Sequence, residues 1–148
     1  MRAGRAGEAL GYFRRSLALL SPCDDAIETA TCCTNMAFCL LAQKNTGEAE
    51  PLLKRAEEIY ASHPDDPHAA SALSCRGQLE YMRGEFSRAA EYFAKSAASV
   101  ERFFGRTANY AAACRSCAKS FEAAGEPDEA AKYRALADSA GGAARGAR

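Results

Sequence analysis

Apolar residues recur along the chain at intervals of three and four, which is the spacing of one face of an α-helix. One such stripe consists of Ile27, Ala30, Cys33, Met36, Ala37 and Leu40, and the next consists of Ala49, Leu52, Leu53, Ala56 and Ile59. Glycine, proline and polar clusters separate the stripes, and no segment convincingly shows the alternation of a half-buried strand. The pattern predicts an all-α fold of about seven antiparallel helices joined by short connections.

The sequence also contains a repeat with a period longer than one helix. Four segments carry a turn, then an alanine five residues on, then an aromatic or aliphatic position, beginning at Gly4, Lys44, Gly84 and Gly125. The alanines are Ala9, Ala49, Ala89 and Ala130, so that the period is 40 or 41 residues. A fixed period of this size indicates one supersecondary unit stacked on itself, and stacked units present a long surface rather than a catalytic pocket.

Capping and turn residues set the predicted boundaries. We expect one repeat domain over residues 1–140, made of an extra helix at 5–20 and hairpins at 25–61, 66–101 and 107–139. Asp25 with Glu28 and Asn45 with Glu48 form plausible capping boxes, and Asp66 is a suitable N-cap. The small and polar residues 141–148 predict a flexible tail.

These residues resemble the tetratricopeptide repeat. Each predicted hairpin carries a small residue twelve positions before the repeated alanine, at Ala37, Gly77 and Ala118. A second small residue follows each repeated alanine by seven positions, at Ser16, Ala56, Ser96 and Ala137. The long period and the linker His63-Pro64-Asp65 are similar to the variant found in kinesin light chains. The resemblance implies an α–α superhelix. Arg76 and Glu80 depart from it, since apolar residues are usual there, and their spacing of one helical turn predicts a mutual ion pair.

The resemblance also implies a protein-interaction scaffold whose concave groove is lined by the first helix of each hairpin. The residues expected in that groove are Thr34, Asn35, Phe38, Leu41, Ser71, Ser74, Gln78, Tyr81, Arg115, Lys119 and Glu122. This mixture would suit a protein or peptide partner with a hydrophobic anchor and an acidic portion. Thr34 and Phe38 stand where related proteins clamp a chaperone's carboxylate with lysine and asparagine, which argues against that partner.

The charge balance excludes some classes of partner. Nineteen basic and nineteen acidic residues cancel, so no net field attracts nucleic acid or an anionic membrane. Seven cysteines in a chain without an apolar leader predict reduced thiols in the cytoplasm. The Arg-rich, acid-poor start leaves the mitochondrial matrix as an alternative location.

Few residues suggest chemistry. Cys114 and Cys117 form a CxxC motif, but a zinc site needs four ligands, and both cysteines fall where the repeat requires core residues. His63 and His68 flank an acidic linker with no nucleophile near in sequence. We therefore expect no enzyme, with no catalytic residue, cofactor or metal. The alternatives are a structural subunit of a large multiprotein assembly and a thiol-based redox or metal-binding protein that uses Cys114 and Cys117.

The first helix has an apolar stripe wider than one neighbouring helix can cover. Since exposed apolar patches rarely persist on a free monomer, Leu10, Phe13 and Leu17 are expected to contact another chain. That chain would be a second copy or a component of a larger complex.

Overall fold

A computed structural model of the chain describes residues 3–19 and 26–145, except for the side chains of residue 3 and residues 141–145. Within these ranges the chain forms seven α-helices and no strand, which confirms the all-α prediction. The helices are α1 (Ala3–Leu19), α2 (Ala26–Ala42), α3 (Thr46–Ala61), α4 (Ala69–Met82), α5 (Phe86–Phe104), α6 (Ala108–Ala123) and α7 (Pro127–Arg145).

The tertiary contacts divide the chain into two compact units, residues 1–75 and 76–148. In the first unit α2 packs against both α1 and α3, and in the second unit α6 packs against both α5 and α7. Within each unit these helices pack on their neighbours in sequence, which is the pairing of an α–α solenoid. Helix α4 contributes residues 69–75 to the first unit and residues 76–82 to the second. The single repeat domain over residues 1–140 stays a prediction.

Three helix-ending turns repeat with the period of the sequence. The amide nitrogens of Asn45, Glu85 and Glu126 donate to the carbonyl oxygens of Leu40, Glu80 and Phe121, at 2.9, 3.0 and 2.9 Å. The residue before each of these nitrogens has a positive φ: 61° at Lys44, 84° at Gly84 and 80° at Gly125. This six-to-one bond with a left-handed residue is a Schellman motif, which supplies partners for the last carbonyls of a helix.

The first copy of the pattern lacks that turn. Gly4, which the sequence analysis aligned with the other turns, lies inside α1. A glycine is needed at this turn only where the backbone is left-handed, and within a helix Gly4 has no such role.

Helix α5 ends at Phe104 rather than at residue 101, and other boundaries also differ from the predictions. Helix α4 begins at Ala69 rather than at residue 66, because Asp66 caps a preceding tighter turn in which Ala69 N donates to Asp66 O. Asp66 Oδ1 accepts from His68 N at 2.8 Å. Helix α7 continues to Arg145, so residues 141–145, which were predicted to belong to a flexible tail, are helical. Residues 146–148 lie outside the described residues.

The predicted cap of α3 is confirmed. Asn45 Oδ1 accepts from Glu48 N at 3.3 Å, while Asn45 Nδ2 donates to Glu48 Oε1 at 2.7 Å. The corresponding pair at α2 cannot be compared, because Asp25 is outside the described residues.

Each unit has its own apolar core. In the first unit the core includes Ala30, Cys33, Ala56, Tyr60 and Ala72, and in the second it includes Ala89, Ala90, Phe93 and Cys117. The small residue at Gly77 has a clear packing reason, because a Cβ added there would lie 3.1 Å from the Phe93 ring. The backbone of α4 therefore approaches α5 more closely than a side chain would allow.

Candidate partner-binding surface

Helix α6 presents a row of charged side chains to solvent in the second unit. Thr107 caps its N-terminus by accepting from Tyr110 N at 3.4 Å, which fixes the start of the helix. Arg115, Lys119 and Glu122 follow at intervals of four and three, so they share one helical face, and all three are exposed. The sequence prediction that these three lie together is consistent with this placement.

Beside this row is a small depression, here called the aromatic recess. Its volume is about 110 Å³, and its lining consists of Gln78, Tyr81, Phe93, Ser116, Lys119 and Ser120. The Lys119 ammonium lies 5.0 Å from the centroid of the Tyr81 ring, a cation–π distance. Tyr81 in turn meets Phe86 edge to face, with ring centroids 5.1 Å apart. The recess therefore combines aromatic walls with hydroxyl and amide groups.

Lys119 also lines a larger opening between α6 and α7, here called the charged cleft. Its volume is about 290 Å³, and the other lining residues are Arg115, Ala118, Glu122, Arg134 and Asp138. Arg134 Nη2 lies 2.7 Å from Glu122 Oε2, so these two charges neutralise each other. Among the described residues, Arg115 and Lys119 have no carboxylate within ion-pair distance. The cleft thus keeps cationic groups available to an anion.

Several lining residues were missed by the sequence analysis. Phe93 is almost completely buried in the core of the second unit, yet its ring also forms part of the recess. Arg134 and Asp138 come from α7, which was assumed to lie away from the groove. One signal was available: Arg134 occupies the repeat position held by Phe13, Leu53 and Phe93. A charged residue at a repeat position that is apolar in the other copies indicates that this position is exposed to solvent.

The predicted groove residues of the first unit are placed less uniformly. Phe38 is 49% exposed, Ser71 is exposed, and Asn35 and Ser74 are half-buried. Thr34 and Leu41 are buried, which corrects their assignment to a partner surface. They share the stripe of Ala30 and Ala37, and the Thr34 hydroxyl donates to Ala30 O at 2.8 Å. In addition, Cys75 Sγ of α4 approaches Thr34 O at 4.0 Å, so α4 covers this position.

The predicted pair of Arg76 and Glu80 is present and has a further member. Arg76 Nη1 lies 3.8 Å from Glu80 Oε1, and Arg88 Nη1 from α5 lies 3.6 Å from Glu80 Oε2. Glu80 is only 3% exposed, so its carboxylate is held inside the second unit. This cluster joins α4 to α5 and is separate from the linings of the recess and the cleft.

The cysteines of the CxxC motif are buried, and their burial favours the protonated thiol. Cys114 and Cys117 are fully inaccessible, and Cys117 Sγ donates to Ala90 O at 3.3 Å. Burial raises the pKa of the Cys117 thiol to about 12, and burial also raises the pKa of Cys114. A protonated thiol is a poor nucleophile and a poor metal ligand. Within residues 3–19 and 26–145 no three His, Cys, Asp or Glu side chains form a group that could hold a metal ion.

The residues of α1 expected to contact another chain face inward. Leu10 is buried, and Phe13 and Leu17 are half-buried, with Leu17 packed against the core of the first unit. The reason is that these residues form the stripe that packs on α2. The large apolar side chains that α1 exposes are instead Tyr12 and Leu19, at 69% and 84%.

None of the described helices is long and apolar enough to cross a lipid bilayer. No curated protein matches the sequence at a significant level. A family model described as tetratricopeptide repeat matches residues 1–62, which cover α1, α2 and α3. This match, together with the packing of α2 on α1 and α3, supports a tetratricopeptide-repeat family for residues 1–62.

Proposed function

We propose that this chain is a non-catalytic protein-interaction module that binds an acidic portion of a protein or peptide partner on the exposed face of α6. Repeats of this family generally mediate protein–protein contacts, which supports the class of function. The observation that carries the proposal is the pair of exposed cations, Arg115 and Lys119, beside the aromatic recess. An acidic group would meet the cations, and an adjacent apolar side chain would enter the recess.

We also propose that the tetratricopeptide-like repeat continues beyond residue 62 into the second unit. The 40- and 41-residue spacing and the three matching Schellman turns support the extension of the repeat beyond residue 62. We also infer that the long-period form is similar to that of kinesin light chains, because the linker reads His63-Pro64-Asp65. The cytoplasm, as a reducing compartment, suits the buried thiols.

A peptide library displayed on phage would test the proposal, because selection shows which residues the surface prefers. Peptides selected on the purified full chain are expected to contain aspartate or glutamate next to an apolar residue. The double substitution Arg115→Glu and Lys119→Glu should weaken their binding by about 2 kcal/mol or more, which is roughly thirtyfold. Isothermal titration calorimetry at low salt gives the affinity.

A charge reversal elsewhere serves as the control. Lys132 on α7 is exposed and lies outside both linings, so Lys132→Glu should leave the affinity unchanged. Selected peptides without acidic residues, or peptides that bind the double variant as tightly as the unchanged chain, would contradict the proposal.

Two other functions compete with the binding module. A structural subunit of a larger assembly is favoured by the exposed Tyr12, Leu19, Phe38 and Phe104, which a free protein would not need. A chain that aggregates unless partners are co-expressed would support that alternative. A redox or metal function is disfavoured by the raised pKa values of Cys114 and Cys117. Stoichiometric zinc that disappears when both cysteines are changed to alanine would revive it.

A further inference from the structure

The charged cleft between α6 and α7 holds one carboxylate that the second unit itself does not neutralise. Glu122 is paired with Arg134 across the cleft, with 2.7 Å between oxygen and nitrogen. Asp138 lies one turn beyond Arg134 on α7, lines the same cleft and is exposed. Among the residues that the structure describes, no cationic nitrogen lies within ion-pair distance of its carboxylate. Two cations, Arg115 and Lys119, and one anion therefore remain available to a ligand.

The position of the Lys119 ammonium explains why Asp138 lacks a partner. Helices α6 and α7 pack side by side and are joined by the short turn at residues 124–126, so they run antiparallel. One turn along each helix from their ion pair, Lys119 and Asp138 therefore reach the same level of the cleft. The Lys119 ammonium, however, lies 5.0 Å from the centroid of the Tyr81 ring, on the side of α6 that faces α4. This cation–π contact directs the ammonium away from Asp138.

We propose that the partner segment bound on α6 carries a basic residue that pairs with Asp138, in addition to the acidic and apolar residues of the proposed function, on which this inference rests. A segment with acidic residues alone would gain from Arg115 and Lys119, but it would bring negative charge close to Asp138, and like charges repel. A lysine or arginine beside the acidic residue replaces this repulsion by an attractive pair. The surface thus selects a segment of mixed charge over a uniformly acidic one.

The two openings beside Lys119 set the order of the three partner residues. The aromatic recess lies towards α4 and α5, the charged cleft lies towards α7, and Lys119 lines both. A segment that crosses α6 from the recess to Asp138 therefore meets Lys119 in between. The acidic residue of the partner stands between the apolar and the basic residue, in either chain direction. Since an extended chain advances ~3.3 Å per residue, the three residues lie only a few positions apart.

Peptides selected by phage display on the full chain, as for the proposed function, are the probe. The tightest selected peptide should contain a basic residue beyond its acidic one, and calorimetry at low salt measures its affinity. Asp138→Asn should weaken binding by about threefold, and Asp138→Lys by about tenfold or more, because reversal turns attraction into repulsion. Asp128→Asn, which neutralises an exposed carboxylate on α7 outside both linings, is the matched control and should leave the affinity unchanged.

A charge exchange across the interface tests whether Asp138 contacts the basic residue directly. Replacement of the basic residue of the peptide by glutamate should weaken binding to the unchanged chain by about tenfold or more. The same altered peptide should bind the Asp138→Lys variant several times more tightly than it binds the unchanged chain, because the pair is then attractive again. A peptide in which the acidic and basic residues change places should bind less tightly, since its composition is the same and only the order differs.

Two results would overturn the inference while the proposed function stands. One is a set of selected peptides with acidic and apolar residues but no basic residue. The other is an affinity that Asp138→Lys leaves unchanged, although the double substitution Arg115→Glu and Lys119→Glu weakens it. Equal affinity of the peptide with exchanged residues would refute the order. Binding that neither Asp138→Lys nor the double substitution affects would contradict the proposed function and, with it, this inference.

Discussion

At the scale of single residues, Glu80 is a carboxylate that is buried in the second unit. It lies in a helix position that the repeat pattern reserves for apolar residues, and it contacts guanidinium groups from α4 and α5. Taking charges out of water is costly, and only close partners repay that cost. The consequence is an asymmetry: the cluster as a whole adds little stability, whereas removal of one buried member leaves a charge uncompensated.

We therefore expect Glu80→Gln to lower the free energy of unfolding by about 3 kcal/mol, although it barely changes the shape of the side chain. Arg88 is 60% exposed at its side chain, so Arg88→Ala should cost less than about 1 kcal/mol. Urea denaturation followed by circular dichroism measures both values. A Glu80→Gln variant as stable as Arg88→Ala would show that water, rather than arginine, compensates this carboxylate.

The residue scale is also where the sequence predicted least well. The charged row on α6 could be predicted because helical spacing alone brings Arg115, Lys119 and Glu122 to one face. Leu41 follows the spacing of the apolar stripe through Ala37, whereas the burial of Thr34 could not be predicted, because it depends on how closely α4 approaches α2. The spacing of apolar residues gives the direction of a helix face, but it does not tell how far a neighbouring helix covers that face.

At the scale of the elements, the repeat is most regular where helices end. The three Schellman turns share one hydrogen-bond pattern, and two of them use glycine at the left-handed position. The third uses Lys44 with a φ of 61°, although a residue with a Cβ is strained in that region. Helix existence and these turns were predictable, because periodicity and glycine position act locally. The start of α4 was not, since Asp66 caps a tighter turn first.

Lys44→Gly should accordingly stabilise the chain by about 1 kcal/mol, because it relieves the left-handed strain at an exposed position. Gly84→Ala and Gly125→Ala should each destabilise it by about the same amount, since both glycines have open space around them and only the backbone conformation opposes the change. Thermal unfolding of the three variants tests the turn assignment. A Lys44→Gly variant that is less stable than the unchanged chain would show that the lysine side chain contributes more than its backbone strain costs.

At the scale of the whole molecule, both units bury their thiols instead of exposing them for chemistry. Six cysteines among the described residues are free and buried, and they lie in both halves of the chain. The composition predicted reduced cysteines, and the repeat register placed them in the cores, because cysteine packs there as a small apolar residue. The size of the pKa shift that burial causes at each thiol could not be inferred from the sequence, because it depends on the packing around each sulfur.

The buried thiols make the stability of the chain depend on alkaline pH. Burial raises the pKa of Cys75 in the first unit and of Cys117 in the second unit to about 12, from 9.0 in an unfolded chain. Below pH 9 the thiols stay protonated in both the folded and the unfolded chain, so the stability that the buried thiols contribute is fully present. Between pH 9 and 12 only the unfolded chain loses them, and the free energy of unfolding should fall by up to about 1.4 kcal/mol per pH unit for each thiol.

Urea denaturation under reducing conditions at pH 8 to 11 measures this slope. Cys75→Ala and Cys117→Ala should each lower stability at pH 8 through lost packing. They should also make the alkaline slope shallower, and only the removal of an ionisable thiol has that second effect. Glu91→Gln, which removes an exposed charge and no thiol, is the control and should leave the slope unchanged. If the slope of the cysteine variants equals that of the unchanged chain, these thiols do not cause the alkaline loss of stability, and tyrosine or lysine ionisation must account for it.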